Sequence, residues 1–355
     1  MADYYLPPVT HVIPLTSIRR ERVLPVPGTV TVRVNEKVNA AQVVAEAEPV
    51  SKHYFLDLAR GLGVRENQVS KYLARHEGDR LDEGEVLAGP VGLTRRTVRA
   101  PADGRIIAIS RGRLLFEARG ALLELRAGFP GVVVATDGVN TVSIQTTGTL
   151  IQGVWGNGRQ DYGVMRIVGE SPADRFKTDQ IDVNLRGAVL VAGICDDPKP
   201  LHQATELAVR GVIVGGLSSG LIPVVQRLPY PVVVLEGFGV RPINPIAYSL
   251  LNSNVGREVA LEAEPARPYE RHRPEIIIPH SESRDMSRPD EVIQLTTGLR
   301  VRVLRSPYEG EIGTVTLILD RPSVYPSGVS AFSAKVELEG IGAVAVPVAN
   351  LEILQ

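Results

Sequence analysis

Two segments near the start of the chain share one design, and they constrain the fold more than any other feature. Each has a polar turn, one apolar residue, a second polar turn and a short apolar strand. They read VNEKVNAAQVVA over 34–45 and EGDRLDEGEVLA over 77–88. The second leads into TVRAPADGRIIAI over 97–109, which adds further short apolar stretches around a turn. Short apolar runs bounded by turn residues are typical of β-strands, so the sequence predicts a β-rich N-terminal part.

The composition extends this prediction to most of the chain. Glycine and proline supply 60 of the 355 residues (34 Gly plus 26 Pro), while aromatic residues make up only 5%. Many tight turns between short strands rich in Val and Ile account for this bias. The length predicts about two to four domains. The formal net charge of −1 gives no overall field that would draw the chain to nucleic acid or to a membrane.

The two segments and the stretch that follows them resemble the barrel-sandwich hybrid of the biotinyl/lipoyl-like superfamily, in its non-carrier form. The resemblance implies a domain over 26–125, after an extended lead-in over 1–25 in which prolines block regular helix. In carrier members, a lysine at a hairpin tip takes biotin or lipoate. The corresponding hairpin here, Ser110-Arg111-Gly112-Arg113, has no lysine. The resemblance therefore implies a binding or scaffolding module, and we expect no cofactor.

Residues 51–75 interrupt the β pattern. Apolar residues recur there at helical spacing around Gly61-Leu62-Gly63, which predicts a helical hairpin inserted between the halves of the sandwich. A DNA-reading helix-turn-helix is the alternative, with Asn67, Gln68 and Ser70 at the start of its second helix. The few flanking cations favour a packing insert.

The pattern changes again after a β-rich extension over 126–170. Over 181–254, continuous apolar strands alternate with helices, which predicts a small parallel α/β domain. Ligands of such domains bind beyond the carboxyl ends of the strands. The candidate ligand loops contain Asp196, Gly215, Gly216, Glu236 and Phe238. No dinucleotide fingerprint or nucleophile elbow accompanies them, which argues against an enzyme.

The single cysteine, Cys195, excludes an internal disulfide and a zinc site made of several cysteines. It ends an apolar run, so a buried thiol is the favoured interpretation. A nucleophile is the alternative, with His202 as the only local base. We predict no metal site, because His272 and His280 lie eight residues apart in a segment that reads as flexible.

Residues 262–290 are rich in Pro, Glu and Arg, which predicts an extended linker. The segment 291–355 then resembles the KOW motif, an SH3-like barrel found in ribosomal proteins and transcription elongation factors. The resemblance rests on GLRVRVL over 298–304, on YEGEIGTV over 308–315 and on the closing VPVANLE. Arg300 and Arg302 share one face of a predicted strand, and Tyr308 lies in the next turn. These three residues form the predicted recognition surface.

These inferences predict a multidomain, mainly β protein that combines a barrel-sandwich hybrid, a parallel α/β domain and an SH3-like barrel. The predicted function is that of a non-catalytic scaffold or interaction protein. KOW modules contact both protein and RNA, so we expect a protein partner or, through the barrel, RNA or DNA. A ligand-binding or catalytic protein and a structural homo-oligomer are the alternatives. No apolar run reaches the ~20 residues of a membrane span and 1–22 lacks a signal-peptide layout, so we expect a cytoplasmic protein without membrane contact.

Overall fold

The computed structural model describes residues 6–47, 52–120, 122–265, 272–280, 287–290 and 292–355, and these are mainly β. The N-terminal strands are β1 (Val9–Thr10), β2 (Val12–Val23), β3 (Thr29–Val30), β4 (Lys37–Val38) and β5 (Val43–Ala47). The next segment contains β6 (Lys52–Asp57), α1 (Leu58–Leu62), the 3-10 helix Glu66–Lys71, β7 (Arg80–Leu81), β8 (Val86–Val91), β9 (Arg96–Arg99), β10 (Gly104–Ser110) and β11 (Arg113–Ala118).

The middle of the chain begins with β12 (Leu123–Arg126), β13 (Gly131–Thr136), β14 (Thr141–Gln152), β15 (Trp155–Gly156) and β16 (Gln160–Ile167). It continues with the 3-10 helices Thr178–Gln180 and Val183–Leu185, β17 (Ala188–Cys195), α2 (Lys199–Glu206), β18 (Gly211–Leu217), the 3-10 helix Ser219–Leu221, α3 (Ile222–Val225), β19 (Val232–Phe238), α4 (Pro245–Ser253), β20 (Glu258–Glu262) and β21 (Glu275–Pro279). The C-terminal elements are β22 (Arg300–Val303), β23 (Ile312–Ile318), β24 (Ser323–Val324), β25 (Ser330–Ala331), β26 (Ser333–Leu338), β27 (Gly342–Pro347), the 3-10 helix Val348–Asn350 and β28 (Leu351–Leu354).

Eleven strands form one large sheet at the centre of the described chain. Their order is β15-β19-β18-β17-β16-β20-β21-β14-β13-β4, and β2 pairs with the other edge of β14. The predicted extension over 126–170 therefore supplies inner strands of this sheet. Of the lead-in expected over 1–25, residues 1–5 lie outside the described part, and the rest is extended but forms the sheet strands β1 and β2. Pro14 is tolerated because it lies opposite the irregular register between Gly148 and Leu150, where the ladder does not require its N–H.

The parallel part of this sheet contains the three strands that the sequence predicted in the α/β region. β16, β17, β18 and β19 are parallel neighbours, and α2 and α3 connect consecutive strands. Alternate residues of each strand enter two hydrophobic cores, one on each face of the sheet. Leu190 and Val212 belong to one core, and Val191 and Ile213 belong to the other. Burial on both faces explains why these strands read as continuous apolar runs.

The helical hairpin predicted over 51–75 is formed only in part, and residue 51 itself lies outside the described residues. Residues 52–57 form β6, which pairs with β11. Two short helices follow, α1 and the 3-10 helix Glu66–Lys71, with the break at Gly63 between them. Asp57 caps α1, because its side chain accepts a hydrogen bond from the Arg60 N–H, and Gly63 ends the helix with φ 71°. The apolar residues Tyr54, Leu56 and Leu58 fit a strand period as well as a helical one. The strand is formed because β11 offers an edge to pair with.

The two similar segments of the N-terminal part lie in separate cores. Val38 and Val44, from the first segment, pack with Phe129 and other residues of the central sheet. Leu81 and Leu87, from the second, belong to a different core within 52–118. The pairing of β6 with β11 brings the first and last strands of 52–118 side by side, so this segment forms a unit of its own. We call this unit the inserted module.

The linker predicted over 262–290 contains an inner strand of the central sheet, and residues 266–271 and 281–286 lie outside the described part. β21 runs between β20 and β14 in the central sheet. Ile276, Ile277 and Ile278 are fully buried. A strand covered on both faces needs consecutive apolar residues, so these three isoleucines are the signal of an inner strand.

The C-terminal segment curls into a six-stranded sheet, β1-β28-β22-β23-β26-β27, around its own core. We call this unit the C-terminal barrel. The N-terminal segment joins it to the central sheet, because β1 pairs in parallel with β28 and β2 continues along β14. The Val12 N–H donates to the Gln355 carbonyl at 2.8 Å where the two meet. The C-terminal barrel thus contains a strand from the N-terminal segment, and that segment links it to the central sheet.

Candidate functional site

The loops at the carboxyl ends of β18 and β19 are filled by the chain itself. A Cβ at Gly215 would lie 2.5 Å from the Ile243 nitrogen, and one at Gly216 would lie 2.4 Å from the Gly239 oxygen. Both glycines are therefore required for close packing of the 239–243 backbone against β18. The space that a phosphate group would need at these two glycines is occupied by protein.

Glu236 is bound to its own surroundings. Its carboxylate accepts hydrogen bonds from the Asn244 backbone N–H at 3.0 Å and from the Asn244 amide at 2.6 Å. Its other oxygen forms a salt bridge with Arg302 of the C-terminal barrel. Asp196, the other acidic residue of the candidate ligand loops, forms a salt bridge with a different arginine, Arg175.

The residues around Arg302 form a buried ion-pair network, which we call the barrel junction. Arg302 donates from Nε to a Glu352 oxygen at 2.9 Å, and it also pairs with Glu236. Glu352 further binds Arg273 at 2.9 Å and the Thr10 hydroxyl at 2.7 Å. The side chains of Arg302, Glu236 and Glu352 are 4%, 8% and 3% exposed. The junction therefore joins the α/β region, the barrel and β1 through charges that are shielded from water.

The pKa values within the barrel junction follow from this pairing. Burial alone would raise the pKa of Glu352, but Arg302 and Arg273, helped by the Thr10 hydroxyl, hold it below its ordinary value. Burial alone would lower the pKa of Arg302, but Glu352 and Glu236 raise it. The charged forms of Arg302 and Glu352 are thus each stabilised by their partners.

The recognition surface predicted at Arg300, Arg302 and Tyr308 is not formed. Arg300 is exposed, whereas Arg302 is buried in the barrel junction. Tyr308 is half-buried and packs against the barrel core. Side chains still alternate along this strand as predicted, because Val301 and Val303 lie in the barrel core while the two arginines lie on the other face. Arg302 is buried nevertheless, because the docked α/β region covers that face at Arg302.

The remaining candidate residues divide between packing and a small surface cavity. Phe238 packs edge-to-face on Trp155, with ring centroids 5.9 Å apart. Asp196 lines a cavity of about 340 Å³ together with Arg175, Lys177 and Asp197. Of the five residues proposed for the ligand loops, Asp196 lines this cavity, and Phe238 is 39% exposed beside Trp155.

Cys195 is buried, as the sequence predicted. Burial, with a smaller contribution from Asp197, raises the pKa of its thiol to about 12. The thiolate required of a nucleophile is therefore absent at neutral pH. His202 is exposed and lines a different cavity, so it does not serve as a base for this thiol.

Two further ion pairs, which were not predicted from the sequence, hold β2 in the central sheet and are wholly or largely buried. Arg20 binds Glu275 with a shortest contact of 2.6 Å, and Arg22 binds Glu262. Burial alone would raise the pKa of Glu262, but Arg22 holds it below the ordinary value. No lone charge marks Arg20 and Arg22, because they stand in the charged run RRER over 19–22. Arg302 and Glu352 did offer a signal, since each is a charged residue between two apolar residues of a strand.

A polar cavity of about 450 Å³ lies beside the pair formed by Arg20 and Glu275. His11 lines it and is buried, and its Nδ1 has no hydrogen-bond partner among the described residues. Burial lowers the pKa of His11 below its ordinary value, against the opposing effect of the Asp290 carbonyl. The cavity therefore presents a neutral imidazole next to an ion pair.

No group of three or more His, Cys, Asp and Glu side chains within the described ranges could hold a metal ion. None of the helices described is both long and apolar enough to span a bilayer. A comparison with known families and with curated proteins found no match to the chain.

Proposed function

We propose that the chain is a non-catalytic, multidomain scaffold or interaction protein. The observation that carries the proposal is the filling of the strand-end loops. The backbone of 239–243 packs on Gly215 and Gly216, and Glu236 is used by Asn244 and Arg302. The place where an α/β protein ordinarily binds its ligand serves here to hold the barrel.

The barrel junction supports the same proposal. A buried charge is costly unless it is paired, so separating the barrel from the α/β region would expose or orphan three ionised groups. The two regions therefore keep one orientation and can present a constant surface to a partner. The KOW resemblance makes a partner linked to transcription or translation the sharper form of the proposal.

The proposal is tested by affinity purification of the intact chain from a lysate of its own cells, with and without nuclease. We expect a partner to be retained in a fixed ratio to the chain through washing at moderate salt. Loss of the partner on nuclease treatment would identify a nucleic-acid bridge. Recovery of the chain alone from both lysates would contradict an interaction role.

A ligand-binding protein is the second candidate, favoured by the cavity at Asp196. Arg175 and Lys177 line this cavity together with three carboxylates, Asp179, Asp196 and Asp197, so it offers charged groups of both signs to a ligand. Thermal shift with a panel of nucleotides, sugar phosphates and carboxylic acids tests this candidate. A stabilisation that disappears in Asp196→Asn, but persists in the barrel variant Arg300→Met, would favour it over the scaffold.

A further inference from the structure

Six exposed arginines surround α1 at one end of the inserted module. We call this surface the arginine face, and its members are Arg60, Arg65, Arg95, Arg96, Arg111 and Arg113. The acidic residues of the same three segments are Asp57, which caps α1, and Glu66. The face thus carries a local excess of four positive charges (six Arg minus two acids), in a chain whose net charge is −1.

Backbone contacts bring the three segments together. The Ala59 N–H of α1 donates to the Gly112 carbonyl at 3.1 Å, which places the turn of the β10–β11 hairpin against α1. A Cβ at Gly63, the residue that ends α1, would lie 2.4 Å from Nη1 of Arg96. The turn of the β8–β9 hairpin therefore meets the other end of the same short helix.

The guanidinium groups of this face are not used to hold the fold. None of the six forms a salt bridge with a carboxylate in the described part of the chain. Two arginines elsewhere in the inserted module do form salt bridges, Arg75 with Glu85 and Arg105 with Glu117. The acidic turn around Glu83 lies at the opposite end of the β8–β9 hairpin. There the Glu83 N–H donates a hydrogen bond to the Asp103 carboxylate. The module is thus polarised, with unpaired positive charge at one end.

Two of these arginines occupy backbone positions that suit other residues. Arg95 has φ 48° and Arg111 has φ 49°, both in the left-handed region. Arg111 and Gly112 form the two-residue turn between paired Ser110 and Arg113, where asparagine is strongly preferred at the first position. Retaining arginine in a strained turn position favours a role for its side chain.

Exposed apolar side chains accompany the charges. Phe55 is 67% exposed, and the Arg113 guanidinium lies 5.7 Å from the centre of its ring. Leu93 stands fully exposed in the turn that carries Arg95. An open aromatic ring among guanidinium groups is the combination that binds single-stranded nucleic acid, because the arginines contact phosphates and the ring stacks on a base.

We propose that the arginine face binds single-stranded RNA or DNA, with Phe55 as the stacking platform. The proposal names the partner class of the proposed scaffold, and it rests on that function. A duplex is a poorer fit, since the five-residue α1 is too short to read a groove. An anionic membrane would use Leu93 as an inserting side chain, and the experiment separates the two.

The test measures fluorescence anisotropy of labelled oligo(U) and oligo(dT), each of about 15 nucleotides to cover a typical site. The intact chain is compared with Arg95→Ala/Arg96→Ala, with Phe55→Ala and with a control of equal charge change, Arg80→Ala/Arg105→Ala. The control arginines lie opposite each other at the acidic end of the module. We expect about tenfold weaker binding in the first two variants and less than about twofold in the control. The double arginine variant should also reduce the salt slope by about 1.4, at roughly 0.7 per phosphate contact.

Arg111→Asn separates binding from folding. Asparagine before glycine suits the turn, so we expect a higher thermal midpoint together with weaker oligonucleotide binding. Equal loss of binding in the control, unchanged binding in the double arginine variant, or binding to phosphatidylserine vesicles that depends on Leu93 would each overturn the proposal. If no oligonucleotide binds while the intact chain still retains a protein partner from nuclease-treated lysate, the arginine-face proposal fails and the scaffold stands.

Discussion

Replacing Arg302 with Met tests whether the barrel junction holds the barrel in place. Methionine keeps most of the side-chain volume but removes the charge that Glu236 and Glu352 share. Removing one partner of a buried ion pair costs about 3–5 kcal/mol, because the other charge is left buried. Glu352 keeps Arg273 and Thr10, and Glu236 keeps Asn244, so we expect the lower end of this range. The free energy of unfolding should therefore fall by about 3 kcal/mol at neutral pH.

The pH dependence of this loss identifies its cause. In the intact chain the pKa of Glu352 is held below its ordinary value, so the unfolded state takes up the proton first as the pH falls. The stability that this carboxylate contributes is thus complete above its ordinary pKa and is lost at lower pH. Without Arg302, fewer groups oppose the effect of burial, so the pKa of Glu352 rises. The difference between the two proteins should therefore shrink as the pH falls towards about 4.

Urea unfolding followed by the fluorescence of Trp155, the single tryptophan, and by far-UV circular dichroism measures both effects. With a slope of about 3 kcal/mol/M, the midpoint should move by roughly 1 M. Arg300→Met is the matched control, since Arg300 is exposed on the same strand and should change stability by less than about 0.5 kcal/mol. Equal effects of the two substitutions, or a loss that does not change with pH, would refute a charge-paired junction.

Four further predictions concern other parts of the molecule. His11→Gln should weaken the decline of stability between about pH 7 and pH 5 in urea titrations, because the lowered pKa of His11 makes the unfolded state bind its proton first. Cys195 should react with thiol reagents only as fast as the protein unfolds, and rapid labelling of the native chain would contradict its burial. Gly216→Ala should lower the thermal midpoint by several degrees, since a Cβ there meets the Gly239 oxygen at 2.4 Å. Proteases should spare 275–279, and early cleavage within β21 would contradict its place inside the sheet.

The sequence predicted those strands whose pattern is local. Val189, Ile213 and Val233 lie in the apolar runs that predicted three parallel strands, and each is buried in the sheet. The hairpin turn at Arg111 and Gly112 was also predicted, and β10 and β11 pair across it. In both cases the residues that decide the structure stand within a few positions of one another.

Predictions failed where a distant partner decided the structure. The apolar residues around Leu56 fit two periods, and β11 selected the strand. The polar composition around 262–290 hid an inner strand, although Ile276, Ile277 and Ile278 indicated one. No local rule could show that Glu236 covers Arg302, because the two residues are 66 positions apart in the chain.

Docking of the barrel changes where a recognition surface can lie. On an isolated barrel Arg300 and Arg302 would share a solvent face, but the junction uses Arg302 for structure. An arginine with a buried carboxylate partner has its hydrogen-bonding capacity occupied and is costly to expose. An exposed arginine without such a partner keeps its donors free for a phosphate. Pairing thus separates Arg302 from Arg95 and Arg111, and it supports the proposal that recognition lies on the inserted module.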